Sequence, residues 1–373
     1  MSGRVYLDWN ATAPLRPEAR AAMLAVFDLV GNPSSVHAEG RAARSVVEGA
    51  REDVAALVGC LPREVIFTSG ATEAARVLAG RPAAAVIVEG TAHDCLMAHA
   101  RDGGEAGGEA GGEAGGDAGA VLATVLATVL ATGLANSETG VVTEPPARGP
   151  EGYALGAGRA GHLMLDVVQA VGRIPFAFGW SGAAMAIVSA HKIGGPKGVG
   201  ALILRDGLEI ATLQPGGGQE MGRRSGTENV AGIAGFGAAA RAALAELDAG
   251  VWDGVARLRD GFEARIAGAA PETVIVGRAG ARLPNTSCLM TPGWKGETQV
   301  MQMDLQGFAI SAGSACSSGK VRASRVLKAM GFDDMAAASA IRVSIGPATT
   351  EQELDRFAGA WLAARARFAA RAA

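Results

Sequence analysis

Residues 183–204 read AAMAIVSAHKIGGPKGVGALIL, and the reading of the fold starts there. Ala183 to Val188 is an unbroken apolar run of strand length that ends at turn-forming residues. Such a run, without polar alternation, predicts a strand covered on both faces. It delivers Ser189, Ala190, His191 and Lys192 into a turn containing Gly194, Gly195, Pro196, Lys197 and Gly198, and Gly200 to Leu204 reads as the next strand.

Outward from this stretch the pattern repeats. Val65 to Thr68, Ala83 to Val88 and His162 to Leu165 read as further buried strands, with alanine-rich helical stretches between them. Strands alternating with helices predict an α/β fold around a mostly parallel sheet. Ala238 to Leu247 and Val251 to Ile266 read as helices, and a second α/β set begins near Thr273. A chain of 373 residues suits one large and one small domain. The boundary is expected near Gly250, giving a large domain over 15–250 and a small one over 1–14 and 251–373. On pattern alone, the strand Val5 to Leu7 could pack with either.

Composition narrows the function classes. A net charge of −3 offers no electrostatic case for nucleic acid or an anionic membrane. The apolar runs are broken before they reach the length of a membrane span, and MSGRVYLDWN lacks the layout of a signal peptide. Cys60, Cys95, Cys288 and Cys316 are scattered, with neither a disulfide framework nor metal-ligand spacing, so no metal is expected and a reducing cytoplasm fits. Residues 102–120 repeat GGEA-like units and 121–132 repeat VLAT, which reads as a low-complexity expansion whose last part alone must be a strand.

Four places can carry chemistry. Lys192, at a strand end beside Ser189 and His191, suits covalent attachment of an aldehyde cofactor, or is simply a solvated loop lysine. Asp166 ends the strand HLML, at the sheet edge where open α/β sheets bind ligands. There it can hold a proton on a ring nitrogen, or cap a helix. The turn from Ser69 to Glu73 can aim the amides of Ala71 and Thr72 at an anion. Cys316 sits in SAGSACSSG among small residues, which suits an accessible nucleophile better than a core thiol, although a harmless loop cysteine has the same surroundings.

Together with the ordered motifs GNPSS-H (31–37), REVIFTSGATE (63–73), His93, NSETG (136–140), DVVQAVG (166–172), SAHKIGGPKGVGAL (189–202), GGGQEMGRRSGTEN (216–229), SAGSACSSG (311–319) and IRVSIG (341–346), these residues make the chain resemble the cysteine desulfurases. These are pyridoxal-phosphate (PLP) enzymes of the class V aminotransferase family. The resemblance runs from Tyr6 to about Thr350. It implies PLP-dependent transferase fold type I: a mostly parallel seven-stranded sheet in the large domain, and a smaller α/β domain carrying the Cys316 loop.

The roles it implies are these. Lys192 is the Schiff-base lysine, Asp166 holds the pyridinium nitrogen, Gln169 approaches the phenolic oxygen, and His93 stacks on the ring and moves protons. Ala71, Thr72, Ser189 and His191 bind the phosphate. Thr227 reaches the phosphate of the partner subunit's cofactor, which implies a homodimer. Asn32 and Arg342 hold the carboxylate of L-cysteine, where arginine offers a planar fork. Cys316 takes the sulfur as a persulfide, releases L-alanine, and passes the sulfur to an acceptor or an iron–sulfur scaffold protein. Selenocysteine lyase activity, and a weakened homologue that acts as a binding partner, are the alternatives.

The sequence departs from the family pattern in several places. Ser137 stands where a second asparagine contacts the phenolic oxygen. The repeats replace a helix and strands after His93, and a Gly/Pro-rich run over 145–161 replaces a helix. The last helix is expected to run to about Ala370, so the tail that binds scaffold proteins in some members looks shortened.

Overall fold

The computed structural model describes residues 3–100, 128–313 and 323–372. The GGEA run, most of the VLAT run and Cys316 lie outside the described residues. Backbone contacts divide the chain into two units, one of Pro14–Leu134 and Glu144–Ala245, the other of Met1–Ala13, Ala135–Thr143 and Glu246–Ala373.

The larger unit is built on a six-stranded sheet in the order Val65–Thr68, Gly200–Leu204, Met185–Ser189, His162–Asp166, Val129–Gly133, Val86–Val88. The last four pair in parallel, whereas Gly200–Leu204 runs antiparallel to both of its neighbours. Six strands are thus described where seven were expected. Every residue of the strands at 185–189, 200–204 and 65–68 is buried, as their unbroken apolar runs require. Gly200 lies where a strand abuts the turn after Thr68: a Cβ there would come within 2.7 Å of the Gly70 Cα, so only glycine fits.

Four local readings shift. Ala83–Ala85 is a 3₁₀ turn and the strand starts at Val86, while the run expected from Ala183 forms its strand over Met185–Ser189. The Gly/Pro-rich stretch folds as a short antiparallel hairpin, Tyr153–Leu155 on Gly158–Ala160. The helix Val230–Asp248 is long and apolar enough to cross a membrane by length and composition, which the reading of broken apolar runs did not anticipate. Half of its most apolar window is buried within the protein, where Phe236, Ala239 and Ala243 are core residues.

The smaller unit holds an antiparallel sheet, Val274–Ile275, Thr286–Met290, Ala340–Ser344 and Ser311–Ala312, and a parallel pair of Val5–Tyr6 with Phe308–Ala309. The N-terminal strand therefore belongs here. Its core gathers Leu7, Trp294, Phe357 and Trp361, the two indoles 5.5 Å apart. Residues 135–143, expected in the large domain, also belong to this unit, held by the Val142 amide on the Ala281 carbonyl and the Leu283 amide on the Gly140 carbonyl.

Candidate active site

In the larger unit Asp166, Ser189, Lys192 and the residues at 71–72 fall at the ends of sheet strands or in the segments that follow, whereas Asn32 and Thr227 lie in loops that precede helices. Asp166 closes its strand and is 8% exposed. Its Oδ1 accepts the Val168 amide at 3.0 Å, so the carboxylate caps its own turn while it stays within the site. Burial pushes its acid up from the ordinary range, against the pull of His93, that amide and Lys192. A carboxylate that far from water suits a further cationic or N–H partner beside the Val168 amide. A protonated ring nitrogen is such a partner, and this is the fit test for PLP at the site.

His93 precedes the short helix Asp94–Met97, and its Nδ1 accepts the Cys95 amide at 3.2 Å. A backbone N–H can only donate, so Nδ1 carries the lone pair and a neutral His93 bears its proton on Nε2. A ring nitrogen of His93, a carboxylate oxygen of Asp166 and the Cys95 sulfur lie within 4.8 Å of one another. Cys95 was given no role from sequence, and nothing in its local run signals that it faces this cluster.

Gln169 is oriented by a residue the sequence reading missed. Arg173, 3% exposed, donates to Gln169 Oε1 and, through Nη2, to the Lys192 carbonyl at 3.1 Å. Because arginine only donates, the carbonyl end of Gln169 is fixed toward it and the amide end is the donor end. A phenolic oxygen requires a donor, so this orientation also fits the cofactor. Lys192 is half-buried on the 3₁₀ turn Ala190–Lys192. His191 is pushed down to about 4, by burial first and then by Lys192, Lys197 and Arg173, so it is a neutral imidazole at pH 7.

The residues expected at the phosphate are differently placed. Ala71 and Thr72 open the helix Ala71–Ala74, Thr72 and Thr227 are exposed, and Ser189 is buried at its strand end. Asn32 is exposed and its Oδ1 accepts the Ser34 amide at 2.9 Å.

In the smaller unit Arg342 lies on the strand Ala340–Ser344 with its side chain 5% exposed. It donates to Asp8 Oδ1 at 2.7 Å and to the Ser137 carbonyl at 3.0 Å, while Ser311 Oγ holds Asp8 Oδ2 at 2.9 Å. The Ser137 carbonyl also accepts from Asn10 Nδ2 at 3.1 Å. The neighbouring Asn136 shapes the turn, its Oδ1 taking the Glu138 and Thr139 amides at 2.9 and 3.0 Å. Of the four cysteines, Cys60 and Cys288 are pushed up to about 12, chiefly by burial, and burial raises Cys95 as well. None of these three is a thiolate at neutral pH.

A strand-end lysine, a buried carboxylate and an amide oriented as donor define a PLP-dependent enzyme of fold type I. The chain belongs to the class V aminotransferase family, whose model matches residues 5–95 and 127–357. It is 40% identical to a cysteine desulfurase of Cereibacter sphaeroides, over 95% of this chain and 93% of that protein. It is also 40% identical to one of Frankia, over 94% of this chain and 88% of that protein. A solved NifS-like protein of Rickettsia africae superposes with a TM-score of 0.80 at 27% identity, covering 96% of this chain and 98% of the other.

Proposed function

We propose that this chain is a cysteine desulfurase that takes sulfur from L-cysteine onto Cys316 and releases L-alanine. The observation that carries the reading is the buried Asp166 carboxylate, in the same unit as Lys192 and the Arg173-oriented Gln169. That donor set suits PLP, and two relatives 40% identical to this chain are cysteine desulfurases.

When bound, PLP supplies an aldehyde for amines and a ring that takes up electron density from the substrate. Lys192 would hold that aldehyde and, as a free amine, would take the α-proton. Asp166 would keep a proton at the ring nitrogen. His93, its Nδ1 occupied, moves protons at Nε2. Arg342 and Asn32 hold the substrate carboxylate. The Cys316 thiolate attacks the substrate sulfur: an S–S bond forms, the Cβ–S bond breaks, its electron pair stays with carbon, and a proton completes alanine. The raised thiols of Cys60, Cys95 and Cys288 support Cys316 as the nucleophile.

The working state in this proposal is a homodimer in which Thr227 serves the partner's cofactor. The sulfur acceptor is an iron–sulfur scaffold or a related protein, and the setting is the cytoplasm, where Cys316 stays a thiol. The test is the yield of alanine and of protein persulfide from L-cysteine. Cys316→Ser should keep bound PLP and lose the persulfide. Loss of activity on alkylation of Cys60, Cys95 or Cys288 instead would overturn the assignment. A much faster release of alanine from selenocysteine would favour the lyase reading.

A further inference from the structure

Two residues other than glycine have left-handed backbone among the described residues, and they are neighbours: Glu220, φ 49°, and Met221, φ 58°. That region is sparsely populated by side chains of this kind, and such outliers persist only where the surroundings over-determine them. Here the over-determination is explicit. Glu220, its side chain 2% exposed, accepts both terminal nitrogens of Arg51 at 2.8 and 2.9 Å, and the Phe67 amide at 2.8 Å. Arg51 also donates to the Val65 carbonyl at 2.7 Å and to Glu48 at 3.1 Å, and its guanidinium lies 4.9 Å from the centre of the Phe67 ring.

The strained turn thus hangs from the strand Val65–Thr68. A second clamp follows it. Arg224 Nε meets Glu73 Oε1 at 2.9 Å, and Glu73 Oε2 accepts the Ser69 amide at 2.6 Å. Met221 itself is 51% exposed, so its backbone conformation is not explained by burial of its side chain. The segment that follows ends at Thr227, and both clamps fasten it to the strand and turn that lead to Ala71 and Thr72.

We propose that Arg51 is a positioning residue for the cofactor phosphate: through Glu220 it locks the left-handed turn that aims Arg224 and Thr227. This rests on the reading of Thr227 as a phosphate ligand. A purely structural role would affect any ligand of the site alike, whereas a positioning role is selective for the phosphate. Moreover, a glycine adopts the left-handed turn without strain, so it lessens the need for the clamp.

The experiment titrates cofactor-stripped full-length protein with PLP and with pyridoxal, which lacks the phosphate, and follows the absorption of the lysine-bound chromophore. Arg51→Met is expected to weaken PLP about tenfold and pyridoxal less than twofold, and adding Met221→Gly should restore at least about threefold of the PLP affinity. Arg51→Lys, which keeps the charge without the fork, should show the same selectivity at a smaller size and serves if Arg51→Met does not fold. Equal loss for both ligands, or no recovery with Met221→Gly, overturns the proposal while Thr227→Ala still weakens PLP. If Thr227→Ala leaves PLP affinity unchanged, the phosphate reading falls and takes the proposal with it.

Discussion

The ring end and the phosphate end of the candidate site are built in opposite ways. At the ring end Asp166, Gln169 and Arg173 are all buried, and each is fixed by a further contact. At the phosphate end Thr72 and Thr227 are exposed and Ala71 opens a short helix, and of the residues expected there Ser189 alone is buried. The difference follows from the charges handled. Protonation at a ring nitrogen has to be imposed against burial, which demands preorganised partners in a dry setting. A phosphate carries its charge at neutral pH and must be admitted from water, so exposed donors serve there beside the buried Ser189.

That contrast can be broken. The largest effect expected is from Lys192→Ala, which should abolish both the visible absorption of bound PLP and alanine formation. Retention of the chromophore would remove the ring end altogether. Next is Asp166→Asn, which leaves the shape but removes the charge. It should lower kcat by about 10²–10³-fold with PLP still bound, since one preorganised charge facing the reacting group is worth about that much. A kcat within a few-fold of the parent would mean that the ring end is not electrostatically committed.

A third test lies in pH. His191 titrates at about 4 in the folded chain, against an ordinary 6.5 when unfolded. Between those values the unfolded chain binds a proton that the folded chain does not, so stability falls as pH drops through this window and is unaffected above it. The melting temperature of cofactor-free protein should therefore fall between pH 7 and pH 5, and His191→Asn should flatten the fall. Equal slopes for the two proteins would assign the pH dependence to other groups.

The smallest effect expected is from Ser137→Asn. It should not reduce PLP affinity, and it should shift the pH titration of visible absorption by about one unit. That matches a hydrogen bond to a charged oxygen worth about 1.5 kcal/mol. Superimposable titrations would mean that Ser137 does not touch the ring oxygen.

What the sequence disclosed follows the same division between local and distant. The Lys192 turn and the end of the strand at Asp166 were legible because a continuous apolar run announces a covered strand, and the residue at its end is then placed by the chain itself. The hairpin at Tyr153–Ala160 was not, since its composition reads as loop and its pairing is set by neighbours. Arg173 carries no sign in sequence that its partners are Gln169 and the Lys192 carbonyl. Still less does Arg51 announce Glu220, 169 positions away. Residues 135–143 were misassigned because proximity along the chain argued for the large domain, whereas backbone pairing put them in the smaller unit.

The parallel pairing of Val5–Tyr6 with Phe308–Ala309 also bears on the order of events during synthesis. The larger unit has all of its residues once the ribosome has passed Ala245, and domains generally fold as units as they emerge. The first strand, by contrast, has no partner until residue 308 is made, and Asp8 waits for Arg342, 334 positions later. For most of translation the N-terminal stretch is therefore an unpaired strand edge, and the smaller unit is completed last, after the larger has all of its residues.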